Sequence, residues 1–188
     1  MNNPKINKKI LFTNLIELKR TLVDKFLNQE EEPYIEIYSV AHSWVLFERL
    51  IYKGVVKSHN QRRYLAACLR VSVKLYELFG EESRQKQKRL DADLVELLGS
   101  KGGVDSNEST NKKMLADYER RVMIGLHFEP RVPPMLVWPH IESIQVMCDK
   151  TLDEFLGKWA QSISSYIILL KGNERKIFED ERKKRSRH

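Results

Sequence analysis

The stretch WVLFERLIYKGVVKSHNQRRYLAACLRVSVKLYEL, Trp44 to Leu78, decides the fold class. Its apolar residues recur every three or four positions instead of alternating, which predicts two helices joined by a short turn. Gly54 stands where the first of them must stop and suits the left-handed conformation that ends a helix. The second is apolar on nearly every side at Tyr64, Leu65, Ala66, Ala67, Cys68, Leu69, Val71 and Val73. Such a helix is normally central, and the small residues Ala66, Ala67 and Cys68 let neighbouring helices approach it closely.

The same period extends outward. Lys5 to Asn28 carries a one-sided stripe of Ile6, Ile10, Leu11, Leu15, Leu18, Leu22 and Phe26, which predicts a surface helix. After the acidic link Glu30 to Pro33, a helix over Tyr34 to Lys53 presents Ile37, Val40, Ala41, Trp44, Phe47, Leu50 and Ile51 along roughly 30 Å. The central helix spans about Asn60 to Phe79. Glu81 to Arg89 reads as a solvated charge run, Asp91 to Leu98 as a shorter helix, the segment from Ser100 to Thr110 as a loop, and Asn111 to His127 as a fifth helix. Four of the six prolines, Pro130, Pro133, Pro134 and Pro139, mark a break. Beyond it Ile141 to Leu170 predicts one bent helix or two, packing through Val146, Leu152, Phe155, Leu156, Trp159, Ile163, Tyr166 and Leu170. With no strand signal of any strength, the expected class is all-α.

A chain of 188 residues, 41% apolar and 31% charged, can bury one sizeable core beneath well-solvated helix faces. Its 33 basic and 26 acidic side chains leave +7. Lys171 to His188 alone holds eight basic against four acidic residues, so the body is only mildly basic. A nucleic-acid-binding fold more typically carries its charge as a stripe on the folded surface. Cys68 and Cys148 lack metal or redox spacing and read as buried small hydrophobes in a reducing compartment. MNNPKINKK has no secretory core, and the apolar run Tyr166 to Leu170 is too short to span a bilayer. The expected location is therefore nuclear, cytoplasmic or both, with no membrane partner. His42, His59, His127 and His140 are scattered, no nucleophile motif occurs, and Gly157-Lys158 lacks a glycine-rich phosphate loop. The chain is expected to be no enzyme, with no catalytic residues, no cofactor and no metal.

Two charges interrupt apolar faces. Lys74 shares a helical face with Ala67, Val71 and Leu78, and Glu119 shares one with Leu115, Val122 and Leu126. They could pair with each other. The alternative reading has Lys74 snorkelling at its helix end and Glu119 paired locally with Arg120 or Lys112.

Lys74 in SVKLYEL and Glu119 in ERRVMIGLHFEP resemble the lysine and glutamate landmarks of a cyclin box. The closer resemblance is to the Cables family of cyclin-box adaptors, which link cyclin-dependent kinases to Abl-type tyrosine kinases. It is carried by Leu18 to Arg20, FERLIYKGVVK (Phe47 to Lys57), Asn60 with Arg62, AACLRVSVK (Ala66 to Lys74) and WPHIESI (Trp138 to Ile144), and covers about Leu11 to Ile144. The resemblance implies a single five-helix cyclin box over residues 32–129, preceded by an N-terminal helix in 1–31 that packs on it. A C-terminal helical extension over 130–171 and a basic tail over 172–188 follow. It implies a regulatory or adaptor protein that binds a cyclin-dependent kinase, modulates its activity or partner choice in cell-cycle control, and leaves room for other signalling kinases as partners. Lys74 and Glu119 would bind backbone groups of the kinase, with Val71, Leu75, Met123 and Phe128 as apolar contacts. The chain lacks the MRAIL-type sequence by which cell-cycle cyclins recruit substrates, so substrate docking is not implied.

The alternative function is a cyclin-fold nucleic-acid-binding or transcription-factor-like module using Arg62, Arg63, Arg120 and Arg121, with nucleic acid the less favoured partner because phosphate would repel Glu119. The run Arg182, Lys183, Lys184, Arg185 and Arg187 reads either as a nuclear-import signal or as a solvated tail.

Overall fold

The computed structural model describes residues 12–28, 34–78, 83–99 and 108–156. These form seven helices and no strand: α1 (Phe12–Phe26), α2 (Ile37–Tyr52), α3 (Gln61–Tyr76), α4 (Ser83–Gly99), α5 (Glu108–Gly125), α6 (Pro134–Cys148) and α7 (Leu152–Leu156). The class is all-α, as the periodicity predicts.

The centre is the α2–α3 hairpin. Every residue of α2 from Ser39 to Phe47 is buried, as is α3 from Tyr64 to Leu69. Helices α1 and α6 pack on α2, while α4 and α5 pack on α3. One contiguous core runs from Leu18 of α1 to Ile144 of α6. The first central helix ends in a Schellman motif: Gly54 takes φ 70°, its N–H donates to the Ile51 carbonyl at 2.9 Å and the Val55 N–H donates to the Leu50 carbonyl at 3.0 Å. Asn60 then fixes the turn into α3, its side-chain oxygen accepting the Lys57 N–H at 2.7 Å.

Three expectations require correction. The charge run before residue 90 is helical, because α4 begins at Ser83. Its charges have partners across the fold: Lys86 meets Glu77 at 2.6 Å, and the Arg89 guanidinium lies 4.1 Å from the centre of the Tyr34 ring. Helix α6 begins at Pro134, well before Ile141. Proline at the first helical position loses only an N–H that has no helical partner anyway, and its φ is preset for the helix. Val146 does not pack; it is 83% exposed. The buried face of α6 follows Val137, Trp138, Ile141 and Ile144, and a residue two positions beyond Ile144 points to the opposite side. Ile6, Ile10, Leu11, the packing positions Trp159 to Leu170 and the basic run Arg182 to Arg187 lie outside the described residues.

Candidate functional site

Lys74 and Glu119 do pair, and they do so within a larger cluster. Lys74 Nζ donates to Glu119 Oε1 at 2.6 Å, linking α3 to α5. Arg70, one turn before Lys74 on the same face, donates from Nη1 to Glu119 Oε2 at 2.6 Å. Its other edge forks onto Asp91 of α4, Nε to Oδ1 at 2.8 Å and Nη2 to Oδ2 at 3.0 Å. Two cations and two carboxylates therefore balance, with the planar guanidinium satisfying both acids at once.

Exposure is graded across the cluster. The side chains of Arg70 and Asp91 are 12% and 15% exposed, Glu119 is 19% exposed and Lys74 is 34% exposed. Arg70 is thus the internal fastener of three helices, and Lys74 is the member nearest solvent. An ammonium carries three donors and each carboxylate oxygen two lone pairs. With one bond to Glu119, Lys74 retains donors for a carbonyl, and Glu119 retains acceptor capacity for an N–H.

The other candidate residues separate by depth. Val71 is 4% exposed and belongs to the core, so its side chain serves this fold's own packing. Leu75 and Met123 are half-buried against the same core. Phe128 is 68% exposed. Nine residues beyond Glu119, it stands past the end of α5, where His127 and Phe128 both adopt left-handed backbone, φ 55° and 59°. The turn is a Schellman motif built without glycine, the Phe128 N–H reaching the Met123 carbonyl at 2.8 Å and the His127 N–H reaching the Ile124 carbonyl at 2.9 Å. Ile124, four residues before Phe128, is 55% exposed and was not singled out from the sequence. Glu77 of SVKLYEL turns inward, accepting the Glu36 N–H at the start of α2 as well as pairing with Lys86. Arg120 and Arg121 both face Asp117 on their own helix.

Sequence reading missed Arg70 and Asp91. Arg70 carried a signal, since it lies four residues before Lys74 within the otherwise apolar run Tyr64 to Val71; Asp91 carried none, because its partner is on another helix. Also missed were two polar assemblies in the core. His42 is fully buried with its Nδ1 2.8 Å from Ser72 Oγ, while the Ser72 hydroxyl donates to the Cys68 carbonyl at 3.0 Å. Burial pushes His42 down to about 4, with the positive charge of Arg49 acting the same way. The second assembly centres on Lys19, 7% exposed, whose ammonium donates to Ser143 Oγ at 3.1 Å and lies 3.4 Å from His140 Nδ1. On the far side of that ring His140 Nε2 faces Glu48 Oε2 at 3.4 Å, and the Trp44 indole N–H donates to Glu48 Oε1 at 2.8 Å. Burial pushes Lys19 below its ordinary value, against the pull of Glu48. For Glu48 burial acts upward, but the hydrogen bonds from His140 and Trp44 prevail and hold it low.

Cys68 is buried and Cys148 half-buried, both free. Among the described residues no group of three or more His, Cys, Asp or Glu side chains is placed to hold a metal ion, and no helix is long and apolar enough to cross a membrane. Comparison of the chain with protein-family models, curated proteins and solved structures finds no match.

Proposed function

We propose that this protein is a cyclin-box adaptor that binds a cyclin-dependent kinase and modulates its activity or choice of partner. The reading rests on the resemblance of SVKLYEL and ERRVMIGLHFEP to the landmarks of that family. The observation that supports it best is the 2.6 Å contact between Lys74 and Glu119 at the exposed end of the α3–α5 charge cluster. There a lysine with donors to spare adjoins a carboxylate with acceptor capacity to spare, the pair needed to bind a carbonyl and an N–H of a docked kinase helix. Holding that helix in place is how such a partner lets the kinase's own Lys–Glu pair form over ATP. Phe128, exposed and displayed by a strained turn, supplies the apolar contact, with the half-buried Met123 and Leu75 as further contacts.

The test is a titration of the purified chain against a panel of cyclin-dependent kinases by isothermal calorimetry, with kinase activity measured in parallel. Truncating one partner of a desolvated, charge-assisted contact costs about 2–5 kcal/mol, so Lys74→Ala with Glu119→Ala should weaken capture at least a hundredfold. Capture of the same kinase at wild-type affinity by the double variant would defeat the assignment, and so would the absence of binding across the panel.

A further inference from the structure

A cavity of about 600 Å³ opens between α1 and the start of α3, away from the Lys74–Glu119 pair. Its two walls differ in charge. The α1 wall presents Glu17, Arg20 and Asp24, which share one helical face at steps of three and four residues and sum to −1. The opposite wall presents Arg62 and Arg63 in the first turn of α3.

That helix start is arranged unusually. The first intrahelical bond runs from the Tyr64 N–H to the Asn60 carbonyl, so the N–H groups of residues 61–63 lie ahead of the ladder. Asn60, the N-cap residue, gives them no side-chain bond, because its oxygen is engaged by Lys57. The first turn holds no acid and two arginines, the reverse of what the positive end of a helix dipole favours. The arrangement is favourable once an anion occupies the site. Gln61 is an independent pointer. It lines the same cavity, is only 6% exposed, and its amide nitrogen is buried with no hydrogen-bond partner among the described residues. Burying an unpaired donor disfavours the folded state, and groups of this kind call for an explanation such as a bound acceptor.

We propose that the cavity binds a phosphorylated peptide segment. The phosphate lies on the α3 wall against Arg62, Arg63 and the free N–H groups, with Gln61 as a further donor. A lysine or arginine of the same segment faces Glu17 and Asp24. The divided charge selects this ligand: a nucleic-acid backbone would bring phosphate against both carboxylates. A lipid surface would need an apolar rim, whereas the apolar lining residues Leu18 and Leu98 are themselves buried. The volume lies within the range of small-ligand clefts and suits a few residues of peptide. None of this depends on the kinase reading.

The experiment is fluorescence anisotropy of the full chain with a labelled ten-residue peptide carrying one phosphothreonine and a lysine three residues later. The phosphopeptide should bind at least tenfold more tightly than its unphosphorylated form, and Arg62→Gln should abolish that ratio while leaving the circular dichroism spectrum unchanged. Gln61→Leu should weaken binding while leaving Tm unchanged or raised, which a purely structural role for Gln61 would not produce. Glu17→Gln with Asp24→Asn should remove the preference for lysine over norleucine in the peptide. The Lys74→Ala, Glu119→Ala variant should bind the phosphopeptide as the wild type does. Equal affinity for the phosphorylated and unphosphorylated peptides, or an unchanged ratio in Arg62→Gln, would overturn the proposal. Inorganic phosphate binding as tightly as the phosphopeptide would also overturn it. So would a twenty-base-pair duplex or phosphatidylserine vesicles binding more tightly and losing that binding in Arg62→Gln.

Discussion

Arg70 and Glu119 meet at 2.6 Å across the α3–α5 interface, and the same guanidinium holds Asp91 of α4 in a two-bond fork. Lys74, on the other oxygen of Glu119, is nearly three times as exposed as Arg70. The fastening of three helices and the solvent-facing contact are thus assigned to different cations. Arg70→Ala leaves two mostly buried carboxylates without their main partner and should cost about 2–4 kcal/mol, toward the lower end of what breaking buried pairs costs because the cluster is partly wet. Lys74→Ala should cost less than about 1 kcal/mol, since Glu119 keeps Arg70. Urea denaturation of the two variants measures the difference. Equal losses would mean that the cluster is not divided in this way.

Gly125 closes α5 against α2. A Cβ built there would stand 2.6 Å from Leu50 Cδ2, and Leu50 is fully buried, so its side chain must shift within the packed core. Gly125→Ala gains about 1 kcal/mol of helix propensity, but overpacking of this kind costs about 1–3 kcal/mol. The net expectation is a lowered Tm, in contrast to the usual outcome of Gly→Ala inside a helix. An increase in Tm would show that Leu50 can repack.

The turn after α5 puts His127 at a position that glycine usually fills. Left-handed backbone costs a side-chain-bearing residue about 1–2 kcal/mol, part of which glycine repays through its looser unfolded chain. His127→Gly should therefore raise stability by about 0.5–1 kcal/mol. Thermal unfolding checks this, and a drop in Tm would reveal contacts of the imidazole that offset the backbone strain.

What the sequence disclosed follows from range. The helical period is a local property, so the all-α class, the central position of α3 and the stop at Gly54 were legible. Charges inside apolar faces are also local anomalies, which is why Lys74 and Glu119 stood out. The extension of α4 back to Ser83 was not legible, because Lys86 and Arg89 look solvated until Glu77 and Tyr34 are brought beside them. His42, Ser43 and Ser39 hid the full burial of α2, since a search for apolar residues passes over small or hydrogen-bonded polar ones. Asp91 and Lys19 take their meaning from partners 21 and more than 100 residues away, as Arg70, His140 and Ser143.

Lys19 joins α1 to α6 through a buried ammonium bonded to Ser143 at 3.1 Å, with a longer contact to His140 at 3.4 Å. Its desolvation offsets much of what is contributed by those bonds and by the attraction of the ammonium to the Trp44 ring, whose centre lies 5.6 Å away. Lys19→Met, which keeps the stem and removes the charge, should leave stability within about 1 kcal/mol of wild type. Lys19→Ala removes the stem too and should cost about 2 kcal/mol, the low end for truncating a buried long side chain. Chemical denaturation of both variants decides the matter. If Met proves as harmful as Ala, the ammonium is the stabilising part.

Acid should act on this fold through His42. Burial among α2, α3 and the Tyr38 and Tyr76 rings holds it at about 4 when folded, against about 6.5 in the unfolded chain. Between those limits the unfolded state carries a proton that the folded state refuses, so stability rises with pH. The contribution is fully present above pH 6.5 and is lost as pH falls toward 4; the interval is worth on the order of 3 kcal/mol. His42→Gln keeps a polar group for Ser72 and cannot titrate, so it should be less stable than wild type at pH 7.5 yet lose less between pH 6.5 and 4.5. Urea unfolding at intervals across that window provides the comparison. Parallel decline of the two proteins would place the acid sensitivity elsewhere in the fold.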